Sequence, residues 1–279
     1  GVPRYDGLVN DDKKQIMISP TWRMQAAVPV RTSEGEQRDY NPLFKESTYF
    51  KVFNSLINDP RLIEAAKKYG YRIKYVLHPI VSAQVDDFDK NDYVDVVPAV
   101  GDMSYETMFR ESSLMVTDFS GIQFDFAYMR KPLVYLHHKD IPQHYEEGTF
   151  FYDTMAFGEI AHDNDELIDL LCEYMASGCK MKEEYVRRAD DFFYYSDHNN
   201  CKRIYDVMID YQNRKILHKV SDRTHFTFKD VSAPVIDAEQ RNKAIAALET
   251  IAAANEIKIG EKTVADRYYD EKIEPKTVA

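Results

Sequence analysis

The segment 116–136 most constrains the fold, because it has the pattern of one crossover unit of a parallel sheet. An apolar run ends at Val116 and gives way to a polar turn that begins with Thr117. A helical pattern follows, and Pro132 ends it before a second apolar run begins at Leu133. Parallel strands need such a crossover connection, usually a helix. The segment therefore predicts an α/β fold with a parallel, Rossmann-like sheet.

The rest of the chain up to about residue 212 repeats this alternation of strands and helices. Pro60 fits the first position of a helix and Gly70 its C′ cap, which marks that helix clearly. The predicted strands are 15–19, 72–77, 93–97, 114–116 and 133–136, and the predicted helices are 47–58, 60–69, 105–111, 121–130, 165–175, 180–193 and 201–211. Alternating elements of this kind are typical of a doubly wound parallel sheet.

The polar turn after Val116 is the first candidate site. Thr117, Asp118, Ser120 and Gly121 lie where a strand's carboxyl end meets the amino end of the next helix. Backbone N–H groups and the helix dipole favour anions there, and open α/β sheets bind ligands in this crevice. The alternative is that Asp118 or Ser120 serves only as a helix N-cap.

His78 and Arg23 also follow predicted strands. His78 comes at the end of the strand 72–77, so it is either a structural histidine or a ligand-binding group at the same sheet edge. Arg23 is either an exposed neighbour of a packed Trp22 or a guanidinium that grips a phosphate. Arg130 and Lys131 follow the helix 121–130, and their position predicts helix termination rather than ligand binding.

Composition excludes several classes of protein. The net charge of −11 argues against a general nucleic-acid binder, and an anionic ligand would need local positive potential. No apolar run of 18 residues is present, so the sequence predicts no membrane span. The three cysteines have no metal-ligand spacing and indicate a reducing compartment. His137, His138 and His144 fit no strong metal template, so we expect neither a metal nor a cofactor.

Several motifs occur in the order in which the CDP-glycerol glycerophosphotransferases, the teichoic acid polymerase family, carry them. The resemblance covers residues 1–212. The motifs are SPTWR at 19–23, LHP at 77–79, TDFSG at 117–121, FDFA at 124–127, RKPL at 130–133 and a downstream element within 145–160. Their shared order makes the resemblance much more specific than any single motif.

This resemblance implies a fold, a reaction and a set of partners. The fold would be the C-terminal, donor-binding lobe of a two-lobed B-type glycosyltransferase. An acceptor hydroxyl would attack the β-phosphorus of CDP-glycerol and release CMP, with CDP-ribitol as the nearest alternative donor. The acceptor would be a lipid-linked polyol phosphate or glycan. The family's acceptor-lobe motif WHGxxxK is missing, so we expect a donor lobe separated from its partner lobe.

The resemblance also assigns roles to individual residues. Family position implies a catalytic role for His78 and donor binding by Thr21, Arg23, Thr117, Asp118, Ser120, Gly121 and Asn200. Asn200 matches its family pattern only loosely, because the glycine and serine of that pattern are absent here. The aromatic connection 137–158 would close over the donor or stack on its cytosine ring.

We expect two domains, a donor-binding lobe at 1–212 and a C-terminal extension at 213–279 with a helix at 236–256. The family implies a cytoplasmic enzyme that contacts the inner face of the cell membrane peripherally, through an acceptor lobe. Two other readings stay open. One is a nucleotide-sugar glycosyltransferase lobe for capsular polysaccharide, and the other is a non-catalytic interaction module that docks a partner through its tail.

Overall fold

The computed structural model describes residues 3–28, 38–101, 103–142 and 150–213. The chain divides into two compact units, Gly1–Met208 and Ile209–Ala279. The predicted helix at 236–256 and the rest of the tail lie outside the described residues, so the predicted helical extension and the domain boundary after residue 212 stay predictions. Among the described residues, no helix is both long enough and apolar enough to cross a membrane.

The strands of the described residues form one parallel sheet, which confirms the predicted fold class. Its strands are β1 (Gln15–Ile18), β2 (Arg72–Leu77), β3 (Val94–Pro98), β4 (Ser112–Thr117), β5 (Leu133–Leu136) and β6 (Gly158–Ala161). Their order is β3-β2-β1-β4-β5-β6, and every neighbouring pair is parallel. The strand order reverses between β1 and β4, so the carboxyl ends of these two strands flank the crevice where such sheets bind ligands.

The helices begin and end close to the predicted positions. They are α1 (Thr48–Ile57), α2 (Pro60–Tyr69), α3 (Tyr105–Glu111), α4 (Gln123–Tyr128), α5 (Tyr152–Met155), α6 (Asn164–Ser177), α7 (Glu183–Phe192) and α8 (Asn200–Asn213). Gly70 ends α2 in the left-handed conformation, with φ of 76°, and the side chain of Asp163 caps α6 by accepting from the Glu166 N–H. The predicted cap at Gly70 is confirmed.

Both faces of the sheet are covered by apolar side chains, which is why the central strands are buried throughout. Ile16 and Ile18 of β1 belong to one core with side chains of α1, α2 and α6. Met17, which points to the opposite face, belongs to a second core that includes Phe126 and Ala127 of α4. Two cores on opposite faces are what a doubly wound sheet requires.

Several elements fall in segments for which the sequence predicted no regular structure. The polar lead-in contains a 3₁₀ turn at Pro3–Gly7, and its Tyr5 is buried against Tyr128 with ring centroids 4.5 Å apart. A second 3₁₀ segment spans Pro79–Asp87. The connection 137–158 contains α5 and leads into β6, whose Gly158 is required because a Cβ there would lie 1.8 Å from the Leu133 carbonyl oxygen.

Lys131 has a different role from the one predicted. Arg130 does end α4, since its Nη1 donates to the carbonyl oxygens of Ala127 and Tyr128 at 3.2 and 2.9 Å. Lys131 instead is buried, and its Nζ donates 2.6–2.9 Å bonds to the last carbonyl oxygens around the end of α3, those of Phe109, Arg110 and Ser112. Its ammonium group therefore caps a neighbouring helix, a role that depends on contacts distant in sequence.

We predict that Lys131→Met lowers the free energy of unfolding by about 2 kcal/mol or more, since the substitution leaves buried carbonyl oxygens without a donor. Urea-induced unfolding measures the change. The control Lys139→Met removes an exposed lysine that pairs with Asp163 at 3.1 Å, and it should stay within about 0.5 kcal/mol of the wild type. Equal losses in the two variants would contradict the capping role.

Candidate functional site

The carboxyl ends of β1 and β4 are joined by hydrogen bonds just beyond the sheet. The N–H of Ser19 donates to the carbonyl oxygen of Val116 at 2.8 Å. In return, the Thr117 hydroxyl donates to the Ser19 carbonyl oxygen at 2.9 Å. The two polar turns predicted from sequence, at 19–23 and 117–121, therefore leave the sheet side by side. Thr117 is buried, and its side chain holds the two turns together at this junction between β1 and β4.

Asp118 is the centre of the junction. It is only 1% exposed, and its Oδ1 accepts two hydrogen bonds from Thr21, from the N–H at 2.9 Å and from the hydroxyl at 2.7 Å. Asp118 is not an N-cap, because Ile122 occupies the cap position of α4 and no side chain hydrogen-bonds there. The capping alternative is therefore wrong for Asp118, whose carboxylate joins the two turns instead.

Arg23 supplies the positive charge that balances Asp118. Its Nη2 lies 2.9 Å from Asp118 Oδ2, and both side chains are almost fully buried. Its Nε donates to the Pro142 carbonyl oxygen at 2.8 Å and its Nη1 to the Thr21 carbonyl oxygen at 2.7 Å. These acceptors occupy much of the guanidinium group, so Arg23 organises the turn in this structure. Phosphate binding by Arg23 stays a prediction.

Ser120 and Gly121 form the outer part of the turn. Ser120 is half-buried and Gly121 is exposed. The Ser120 hydroxyl has one long contact, 3.5 Å from the Ile122 N–H, and its carbonyl oxygen accepts from Gln123. Among the described residues, no atom beyond the immediate chain neighbours of Gly121 lies within 4 Å of the position that a Cβ there would occupy. Ligand binding at this outer part of the turn stays a prediction.

His78 lies at the same edge, beyond the end of β2. It is half-buried, and its ring centroid is 6.3 Å from that of Trp22 in the 19–23 turn. Its Nδ1 accepts a 3.2 Å hydrogen bond from the N–H of Ile80, so the side chain caps the 3₁₀ segment Pro79–Asp87. The structure thus brings together His78 and the two turns, as the sequence predicted.

Asn200 makes contacts at a different place. Its backbone N–H and its Nδ2 both donate to Asp6 Oδ1, at 2.8 and 2.9 Å, and the Cys201 N–H donates to Asp6 Oδ2 at 2.6 Å. Desolvation raises the pKa of Asp6, but these hydrogen bonds outweigh it and hold the pKa at about 2. Asn200 therefore ties the start of α8 to the 3₁₀ turn Pro3–Gly7. Its predicted role in donor binding stays a prediction.

An aromatic cluster that the sequence did not reveal packs against the 117–121 turn. Phe119 stacks on His137 with ring centroids 4.2 Å apart, and the Arg23 guanidinium lies 5.9 Å over the Phe119 ring. The Tyr152 hydroxyl donates to the Asp118 carbonyl oxygen at 3.3 Å. Because protein groups contact the Phe119 ring in this way, Phe119 supports the turn rather than offering a platform for a base. The signal in the sequence was only the aromatic richness of the segment 137–158.

His137 is held neutral by its surroundings. Burial lowers its pKa to about 4, although the nearby Asp118 carboxylate acts in the opposite direction. Its Nε2 is buried without a hydrogen-bond partner. Across the described ranges, no group of three or more His, Cys, Asp or Glu side chains is arranged to hold a metal ion. In this structure His137 contributes its ring to packing.

A small recess opens beside the first turns of α4, with a volume of about 190 Å³. Asp125 is buried there, and Arg4 binds it through both carboxylate oxygens, at 2.5 and 2.6 Å. Burial raises the pKa of Asp125, and the pairing with Arg4 opposes this shift. The recess is lined by Arg4, Leu8, Tyr105, Glu106, Phe109, Ile122 and Asp125. The motif FDFA at 124–127 did not indicate this ion pair.

We predict that Arg23→Met lowers the free energy of unfolding by about 3 kcal/mol, because it leaves the Asp118 carboxylate buried without its countercharge. Urea-induced unfolding measures the loss. The matched variant Lys90→Met removes one positive charge from an exposed pair with Asp86 and should cost less than about 0.5 kcal/mol. A loss no larger in Arg23→Met than in the control would show that the buried pair does not hold the turns together.

We predict that His137 makes the folded state sensitive to acid. Its pKa is lowered from 6.5 to about 4, so between these values the unfolded chain binds a proton that the folded chain does not. The free energy of unfolding should therefore fall as the pH drops from 6.5 to 4, by about 2 kcal/mol from this residue. Urea unfolding over this range should show a shallower slope for His137→Phe than for the wild type.

The chain matches one protein family over most of its length. The family of the CDP-Glycerol:Poly(glycerophosphate) glycerophosphotransferases matches residues 1–210. The minor teichoic acid biosynthesis protein GgaB of Bacillus subtilis (strain 168) is 41% identical over 217 residues, which are 77% of this chain and 24% of GgaB. The teichoic acid glycerol-phosphate transferase of Staphylococcus aureus (strain NCTC 8325 / PS 47) is 29% identical over 164 residues, 57% of this chain and 36% of that protein.

Among solved structures, a variant of the wall teichoic acid polymerase TagF superposes with a TM-score of 0.50 at 19% identity. The match covers 79% of this chain and 52% of the TagF chain, and at this identity it shows a shared fold. The chain spans less than half the length of the curated relatives it matches. The family match, which extends across the whole sheet and the junction at Asp118, shows that this chain belongs to the CDP-glycerol:poly(glycerophosphate) glycerophosphotransferase family.

Proposed function

We propose that this chain is the donor-binding lobe of a glycerophosphotransferase. The enzyme would transfer glycerol phosphate from CDP-glycerol to a hydroxyl group of a lipid-linked acceptor, in the synthesis of teichoic acid or a related cell-surface polymer. Family membership supports this proposal, as do the names of the teichoic acid relatives. The single observation that carries it is the junction at Asp118, which presents an open turn beside His78.

The junction suits an anionic donor because its own carboxylate is already neutralised. Arg23 and Thr21 satisfy Asp118 within the protein, so the carboxylate faces inward and is 1% exposed. The open side of the turn offers the Ser120 hydroxyl and the backbone at Gly121. Since the chain carries a net charge of −11, local donors of this kind must overcome a repulsive overall field.

His78 is placed to act on the same ligand. The strands β2, β1 and β4 are neighbours in the sheet, so His78 lies two strand spacings from the turn of β4, about 10 Å along the sheet edge. The 19–23 turn with Trp22 lies between them. A diphosphate with a nucleoside on one side and a glycerol on the other is long enough to contact the turn and His78 together.

The recess beside α4 is our proposed site for the cytidine part of the donor. It adjoins the turn through Ile122 and offers an aromatic wall at Tyr105. Arg4, which covers Asp125 in this structure, has a side chain 63% exposed, so in the proposed complex it would move into solvent and the nucleoside would take its place at Asp125. Asp125 would then accept hydrogen bonds from hydroxyl groups of the nucleoside.

The proposed reaction is a substitution at the β-phosphorus of the donor. The acceptor hydroxyl would attack the β-phosphorus of CDP-glycerol, and CMP would leave with the electrons of the broken phosphorus–oxygen bond. Hydrogen bonds from His78 and the 117–121 turn would offset the charge that develops on the departing phosphate. We further propose that the acceptor is a lipid-linked polyol phosphate or glycan, and that the enzyme acts at the cytoplasmic face of the membrane, with peripheral contact through a separate acceptor lobe.

We predict that the purified chain binds CDP-glycerol or CDP-ribitol more tightly than UDP-glucose, as measured by isothermal titration calorimetry. His78→Ala and Ser120→Ala should each weaken binding of the cytidine ligand by about tenfold, since each removes a hydrogen bond to a charged group. CMP, titrated in parallel, separates the contribution of the nucleotide from that of the polyol phosphate.

The variant Ser177→Ala is the matched control for Ser120→Ala, because Ser177 bonds only carbonyl oxygens of its own helix α6. It should bind the donor as the wild type does. Tighter binding of UDP-glucose than of either cytidine ligand would favour a nucleotide-sugar glycosyltransferase instead. No binding of any of these nucleotides would contradict the donor-lobe proposal.

A further inference from the structure

Gln123 is a buried polar residue at the first position of α4, two residues after the 117–121 turn. Its side chain is 3% exposed, and a buried amide is tolerated only where it makes hydrogen bonds. Its Oε1 accepts from the Tyr135 hydroxyl at 2.8 Å, and its Nε2 donates to the Tyr152 hydroxyl at 3.5 Å. Gln123 therefore joins two tyrosine hydroxyl groups, one from β5 and one from α5.

These two hydrogen bonds belong to a longer chain. At one end, the Phe157 N–H donates to the Tyr135 oxygen at 3.3 Å. At the other end, the Tyr152 hydroxyl donates to the Asp118 carbonyl oxygen at 3.3 Å. The chain thus runs from the residue before β6, through the Gln123 amide, to the backbone of the turn after β4.

The two ends of the chain fix its direction. A backbone N–H can only donate, so the Tyr135 oxygen accepts from Phe157 and its own proton goes to Gln123. Burial raises the pKa of Tyr135 well above its usual range, so this hydroxyl keeps its proton. A carbonyl oxygen can only accept, so the Tyr152 proton goes to Asp118 and the Tyr152 oxygen accepts from Gln123. Both ends require the same orientation of the Gln123 amide.

Gln123 also bonds the turn through its main chain. Its N–H donates to the Ser120 carbonyl oxygen at 3.2 Å. The residue therefore holds the turn at two carbonyl oxygens, that of Ser120 directly and that of Asp118 through Tyr152. The Asp118 carbonyl oxygen belongs to the planar peptide group that leads to the outer part of the turn, so its hydrogen bond fixes the direction of that group.

We propose that Gln123 is a positioning residue for the donor-binding turn. This inference rests on the proposed function, in which Ser120 and the backbone at Gly121 contact the donor. The Gln123 amide sets the direction of the buried hydrogen-bond chain, and the chain holds the Asp118 peptide so that Ser120 is presented to the donor. Gln123 itself touches no donor atom, so a change in its side chain acts on donor affinity through the turn.

Three substitutions break the chain in different ways. Gln123→Glu replaces the amide with a carboxylate, which only accepts, so both tyrosine hydroxyls would donate to it and the Asp118 carbonyl oxygen would lose its donor. Gln123→Met keeps a similar volume but removes both side-chain hydrogen bonds. Tyr152→Phe removes only the last hydroxyl. We expect each substitution to weaken binding of CDP-glycerol about fivefold or more, as measured by calorimetry.

Gln15 is the matched control, because it is also a buried glutamine, and its Nε2 donates to the Ser112 hydroxyl at 2.8 Å. It is the first residue of β1, at the edge of the sheet opposite the turn. Gln15→Met should lower the urea midpoint as Gln123→Met does, yet keep the wild-type affinity for CDP-glycerol. Equal losses of affinity in the two variants would show that Gln123 matters only for stability and would overturn the inference.

A double-mutant cycle with Ser120→Ala tests whether Gln123 acts through the turn. Since Gln123 is proposed to position Ser120, Gln123→Met should weaken binding of CDP-glycerol by a smaller factor in Ser120→Ala than in the wild type. The same factor in both backgrounds would overturn the positioning role.

Nitrogen-15 NMR of the full chain tests the hydrogen-bond chain without any ligand. The side-chain amide signals of Gln123, assigned by their absence from Gln123→Met, should shift in Tyr135→Phe and in Tyr152→Phe but not in Gln15→Met. Unshifted signals in the two tyrosine variants would overturn the inference even if CDP-glycerol binds. Failure of the wild type to bind CDP-glycerol would overturn the proposed function and the positioning role, whereas the amide signals would still decide the hydrogen-bond chain.

Discussion

The buried contact of Asp118 with Thr21 and Arg23 is the interaction on which the functional edge of this protein depends. It joins turns that follow β1 and β4, residues almost 100 positions apart in the chain. A carboxylate and a guanidinium are costly to bury, and they are tolerated here because Thr21 and main-chain carbonyl oxygens satisfy the groups that the ion pair leaves over. The consequence is a turn with fixed geometry, whose outer side at Ser120 and Gly121 stays accessible.

In this acidic protein, the opposite charges of Asp118 and Arg23 pair inside the turn, and the outer part of the turn carries the half-buried Ser120 and the exposed Gly121. Phe119 and His137 support the turn with neutral rings, because burial keeps the pKa of His137 low. Arg23 and Asp118 therefore have a structural role in the turn, and their donor binding stays a prediction.

The strongly patterned elements of the fold could be predicted because their signals are local. The helix α2 has a proline at its first position and a left-handed glycine after its end. The strand β2 is a continuous six-residue segment with the sequence RIKYVL. The strand β6 and the 3₁₀ segment Pro79–Asp87 were missed, since GEIA at β6 is less apolar than the four-residue strands β1 and β5, and the 3₁₀ segment lacks the apolar period of an α-helix. The contacts of Asn200 and Lys131 could not be predicted because their partners are distant in sequence. Asn200 contacts the 3₁₀ turn Pro3–Gly7, and Lys131 contacts the end of α3.

The sequence by itself determined the alternation of strands and helices, the polar turn after β4, the histidine after β2 and the family to which their order points. These features follow from hydrophobic periodicity and from short motifs, which are properties of neighbouring residues. Only the tertiary structure decided which polar groups pair with each other inside the protein, because burial and pairing depend on residues distant in sequence. It turned Arg23 toward Asp118, placed Arg4 over Asp125, and made the side chain of His78 the cap of the 3₁₀ segment Pro79–Asp87.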